Sequence, residues 1–134
     1  MQALIHITIA ANPAFSYQIP LLDWVKQQPF DVVCYDFDNH SEAVLADYAI
    51  QLLDQSAKAL IVIEYNASSQ QRGSSIKLLN KAVRQKYKDI KLILNGTDPV
   101  LEKMGKVLGK TNFYADQPLE KQKALCRKFF TKAV

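Results

Sequence analysis

Glu64 closes the most apolar run in the chain, and a polar stretch, NASSQQRGSS, follows it directly. Asn66, Ser68, Ser69 and Arg72 lie in that stretch, just ahead of a helix-like segment. Amide, hydroxyl and guanidinium groups before a helix start can hold an anion, because the first backbone N–H groups of a helix point outward unpaired. A second set follows the first apolar run: Asn12, Ser16 and Tyr17. Asn95 and Thr97 follow a third such run. These residue types bind ligands by hydrogen bonding. None is an activated nucleophile with a partnering base, so no catalytic residue and no metal ligand is assigned, and the cofactor, if there is one, is unknown. The chain reads as leaning away from an enzyme.

Several chemistries lack their signatures. Four glycines, at 73, 96, 105 and 109, build neither GxxxxGK[ST] nor GxGxxG. No serine sits in a GxSxG elbow. His6 and His40 are the only histidines, and no His/Cys group has zinc spacing. His6 falls in the middle of a strand-like run and reads as a buried, hydrogen-bonded core residue. His40 reads as a surface residue. Cys34 and Cys126 are far apart, outside any CxxC pair, and read as small core residues in a reducing compartment. Asp36-Phe37-Asp38 resembles the first motif of haloacid-dehalogenase-like phosphatases. However, His40 replaces the small or hydroxyl residue of that motif and no Asp-rich metal motif follows, so the two acids read as a charged strand end.

The elements that must position these residues alternate five times. Residues 3–11, 31–37, 58–65, 90–95 and 112–115 are apolar or β-branched and strand-like. Between and after them lie helical stripes. Ile19, Leu22 and Val25 form the first. Val44, Leu45, Tyr48, Ala49, Leu52 and Leu53 form the second, with Ser41 as its expected cap. Ile76, Leu79, Val83 and Tyr87 form the third. Asp98-Pro99 is an N-cap and first-turn proline ahead of Val100, Leu101, Met104, Val107 and Leu108, with Gly109 as the stop. Pro118 opens the last helix, whose inner face is Leu119, Cys126, Phe129 and Phe130. Strands alternating with helices imply right-handed βαβ units and a parallel sheet covered on both faces. The expected fold is a single α/β domain over residues 1–134. It is a three-layer doubly wound sandwich with a five-stranded parallel sheet in the flavodoxin-like order 2-1-3-4-5. In that order a ligand binds beyond the carboxyl ends of strands one and three.

Residues 49–83, AIQLLDQSAKALIVIEYNASSQQRGSSIKLLNKAV, resemble the middle of a Toll/interleukin-1-receptor (TIR) domain: helix, aliphatic strand, serine-containing loop, leucine-bearing helix. Trp24 and the strand DVVCYDF stand where such a domain has its first helix and second strand. The resemblance implies the fold and self-association. It does not carry over NAD cleavage, since enzymatic members place a Glu on the helix after the third strand and no Asp or Glu occurs here between Tyr65 and Lys88.

Charge completes the reading. Residues 1–67 hold two Lys against eight acids, a net −6, while residues 68–134 hold fifteen Lys or Arg against five acids, a net +10. Opposite poles on one small body favour electrostatic docking. The leading expectation is therefore a non-enzymatic cytosolic interaction or signalling module that binds a protein partner or itself. The alternative is a small-ligand or nucleotide-binding protein, possibly an enzyme, that uses the crevice at strands one and three. A further alternative is nucleic-acid binding through the basic half, which is not favoured. No apolar run approaches the ~20 residues needed to span a bilayer, and no leader pattern opens the chain. The expected location is the cytoplasm.

Overall fold

In a computed structural model of the chain, residues 1–10, 19–41, 43–66, 72–73, 75–85 and 88–131 are described. Five strands and five helices alternate: β1 (Gln2–Ala10), α1 (Pro20–Lys26), β2 (Val33–Asp38), α2 (Ala43–Gln55), β3 (Lys58–Asn66), α3 (Ser75–Arg84), β4 (Asp89–Asn95), α4 (Pro99–Val107), β5 (Phe113–Ala115) and α5 (Leu119–Phe129). All strand pairs are parallel and their order is β2-β1-β3-β4-β5. This is the three-layer flavodoxin-like sandwich expected from the alternation. No helix among the described residues is long and apolar enough to cross a membrane.

Strand alternation sorts the core into two layers. Ile5, Ile7 and Ile9 of β1 and Ile61 and Ile63 of β3 pack against α2, α3 and α4. Leu4, Leu60, Val62 and Ile93 pack on the opposite face, against Leu21, Leu22 and Val25 of α1 and Cys126 and Phe129 of α5. Burial on both faces explains why β1 and β3 read as nearly continuous apolar runs.

Several local expectations shift. The buried stripe of α3 is Ser75, Leu78, Leu79 and Ala82, not Ile76, Leu79 and Val83. Small Ser75 and Ala82 let the helix approach the sheet, which turns Ile76 and Val83 toward the flank. In α4, Leu101 and Gly105 are buried, whereas Val100 and Val107 are exposed. Helix α2 starts at Ala43, so Ser41 lies one residue too early to cap it. Its hydroxyl instead ties a turn, accepting the Asp38 N–H at 3.1 Å and donating to Asp38 Oδ1 at 3.2 Å. The expectation at Asp98-Pro99 holds: Asp98 Oδ1 accepts the Val100 N–H at 3.1 Å.

Candidate functional site

Parallel register builds a polar row across four strands at their carboxyl ends. Asp38 lies opposite Thr8, Thr8 opposite Glu64, and Glu64 opposite Asn95. One step down, Asp36 lies opposite His6, and His6 opposite Val62. Alternation directs all of these toward the α1/α5 layer. There all but Val62 floor a cavity of about 510 Å³. Its walls are the start of α1, with Ile19, Pro20 and Leu21, and the approach to α5, with Gln117, Pro118, Leu119 and Gln122. Pro20 and Pro118 each stand at or just before a helix start, where a missing N–H leaves no intrahelical bond unmade.

A relay of hydrogen bonds fixes one side of the floor. The Gln117 N–H donates to Asn95 Oδ1 at 2.7 Å, and Asn95 Nδ2 donates to Glu64 Oε1 at 2.9 Å. Gln122, 5% exposed, donates through Nε2 to the Gln117 carbonyl at 2.9 Å and to Glu64 Oε1 at 3.4 Å. Among the described residues, the partners of Glu64 are neutral amides, which position the carboxylate without pairing it to a cation. On the other side, Asp38 Oδ1 accepts the His40 N–H at 2.7 Å. Among the described residues, Asp36, Asp38 and Glu64 form no ion pair, and no Lys or Arg lines the cavity. A cleft lined by one sign of charge over low-dielectric walls concentrates its field.

His6 also lines this cavity and is only 4% exposed. Its Nδ1 is buried without a hydrogen-bond partner. Burial drives the imidazole down to about 4, so the ring is neutral near pH 7. An orphaned buried polar atom costs free energy unless something outside the chain satisfies it. The expectation of a core histidine holds for its burial but not for its hydrogen bonding at Nδ1.

The expected site residues divide three ways. Glu64 lies in the cavity, and so does Asn95. Asn66 ends β3 opposite Ala10 and is not part of the lining, and Arg72 lies elsewhere. The Arg72 guanidinium grips Asp98, with Nε 2.5 Å from Oδ2 and Nη2 2.9 Å from Oδ1. That bidentate hydrogen bond raises the arginine and, foremost among several effects, holds the Asp98 carboxyl below the usual carboxylate range. Arg72 thus ties the segment after β3 to the cap of α4. Asn12, Ser16, Tyr17, Ser68 and Ser69 lie outside the described residues. His40 is bound at the end of β1, with Nε2 2.8 Å from the Ala10 carbonyl. Asn39 grips the same residue from both sides: its Oδ1 accepts the Ala10 N–H and its Nδ2 donates to the Ala10 carbonyl, each at 3.0 Å.

His6, Thr8, Asp36, Asp38, Gln117 and Gln122 are the residues that sequence reasoning left out of the site. A signal was present for four of them. In IHITI every second residue is Ile, so His6 and Thr8 share the other face. The same period places Asp36 and Asp38 on one face of β2. Nothing local announces Gln117 or Gln122.

The cavity can bind and orient a ligand through carboxylates, a hydroxyl, amides and one neutral imidazole. No group of three or more His, Cys, Asp or Glu among the described residues is arranged to hold a metal ion. Comparison with protein-family models, curated proteins and solved structures produced no match to this chain.

Proposed function

We propose that this chain is a small-ligand-binding α/β domain whose ligand occupies the crevice at the carboxyl ends of β1 and β3. The observation that carries the reading is the cavity of about 510 Å³ onto which the unpartnered His6 opens. Its volume falls in the range of small-molecule sites, and its position is the strand-order reversal where doubly wound sheets bind ligands. Apolar walls and a few fixed polar groups are the lining such sites use. A thermal-shift screen with small metabolites, followed by NMR of the His6 imidazole, tests the reading. A bound ligand at hundredfold excess over its Kd adds about 2.7 kcal/mol to stability and moves the His6 resonances. Thr8→Leu, which crowds the cavity floor, should weaken that binding while the fold persists. A screen that leaves both the melting temperature and the His6 ring unchanged rejects the reading.

A second reading, a protein-interaction module, is favoured by the charge poles and by one surface. Val44, Leu45 and Tyr48 lie within about one turn of α2 and are 47%, 38% and 55% exposed. Self-association is also what the resemblance to TIR domains implies. The cavity reading ranks first because the cavity stands at the strand-order reversal and combines apolar walls with several fixed polar groups.

A further inference from the structure

We infer that the ligand of this crevice is a small organic cation, an amine or amidine joined to an apolar body. The inference rests on the proposed ligand-binding reading and adds the chemistry of the ligand. Three carboxylates from two strands flanking β1 face one cavity. Asp36 and Asp38 come from β2, and Glu64 comes from β3. None is ion-paired among the described residues, and no Lys or Arg lines the space. An anionic ligand would meet like charge on both sides. A neutral ligand would leave the three carboxylates without a counter-charge among the described residues. A cation compensates them, and a partly desolvated pair is stronger than the same pair in open water.

The buried imidazole supports a ligand on independent grounds. His6 lies in the central strand between Asp36 and Val62, and its Nδ1 has no hydrogen-bond partner among the described residues. As a neutral ring it offers either a donor or an acceptor at that nitrogen, according to tautomer. An ammonium or amidinium N–H can donate to the carboxylates that line the cavity with this ring. A metal ion is the less suitable cation, since no arrangement of three or more metal-ligating side chains occurs among the described residues. Ile19, Leu21 and Leu119 provide an apolar wall opposite the acids, which suits a ligand with one charged end and one greasy end.

The test uses three probes of similar shape: phenethylamine, phenethyl alcohol and phenylacetate. Each is titrated into the full chain by calorimetry, and NMR of the His6 ring reports whether the probe enters the cavity. The expected result is that phenethylamine binds at least tenfold more tightly than the alcohol, that phenylacetate does not bind, and that only the amine moves the His6 signals strongly. Glu64→Gln and Asp36→Asn, which keep shape and remove charge, should each weaken the amine severalfold and leave the alcohol unchanged. Equal binding of amine and alcohol at His6, or preference for phenylacetate, overturns the cation inference and leaves a ligand-binding cavity standing. Amine binding that leaves His6 unmoved also overturns it, as surface association. If no probe binds and a broad metabolite screen also leaves His6 unchanged, the ligand-binding reading falls with it.

Discussion

His6 places a titratable ring in the most deeply packed strand of the sheet, and that placement sets how the protein responds to acid. The groups facing it are Asp36 on β2 and Val62 on β3, with Asp38, Glu64, Leu21 and Gln122 around the same cavity. Burial holds the ring down to about 4. An unfolded histidine titrates near 6.5. Between those values the unfolded chain binds the extra proton and the folded chain does not. Stability is therefore fully present above about 6.5 and is lost as pH falls toward about 4, by up to about 3 kcal/mol. Urea unfolding at about pH 7.5 and about pH 5 measures this slope. His6→Leu removes the ionisable group, so that variant should show a much flatter slope across the same interval. An equally steep slope in the variant would place the titrating group elsewhere.

At the scale of single elements, the start of α4 joins local and distant chemistry in one residue. Asp98 is 1% exposed, caps the helix through the Val100 N–H, and receives the Arg72 guanidinium from the segment after β3. Asp98→Ala should cost about 1 kcal/mol for the cap alone, with the loss of the Arg72 contact added. Asp98→Asn keeps an N-cap oxygen and should recover the cap share but not the ion pair. Chemical denaturation of both variants, each with and without Arg72→Ala, separates the two. Because the Asp98 carboxyl lies below the usual range, its contribution is present at neutral pH and is lost only as pH falls below about 4. That window lies beneath the one assigned to His6. Just before the cap, Gly96 has φ +109°, and a Cβ there would overlap the Tyr65 carbonyl oxygen. Gly96→Ala should therefore destabilise by roughly 1–3 kcal/mol from backbone strain, plus the steric overlap. A melting temperature that does not fall would contradict that.

Across the whole molecule, strand order turns a split in sequence into a split in space. Acidic β2 and α2 lie at one edge of the sheet, while the Lys and Arg of the second half lie mainly on α3, α4 and α5. Such poles should produce weak head-to-tail association at low salt, because exposed charges are screened beyond about 8 Å at physiological ionic strength. Light scattering at high protein concentration should show mass that rises at low salt and returns to the monomer at high salt. A monomer under both conditions rejects docking by charge. A dimer that persists at high salt assigns the contact to an apolar surface, and Tyr48→Asp on α2 should then dissolve it.

Local residue patterns were enough to mark the elements and their succession along the chain. Apolar runs bounded by Pro, Gly and Asn marked five strands, and Asp98-Pro99 and Gly109 marked the ends of α4. These signals are legible because backbone sterics and capping act over a few residues. The α3 stripe was misplaced because apolar character alone cannot show that Ser75 and Ala82 are wanted for their small size against a sheet. Part of the site was also visible: Glu64 and Asn95 lie at strand ends beyond which such sheets bind ligands. Which polar residues meet depends instead on how the elements pack. Arg72 looked like an anion ligand from its neighbours in the chain, yet Asp98, 26 residues away, holds it. Asp36, His6, Glu64 and Gln122 each have an ordinary local explanation. They become one acid-lined cavity because parallel register sets strands 30 to 56 residues apart in sequence side by side and because α5 returns to cover β1 and β3, contacts that carry no mark in the local sequence.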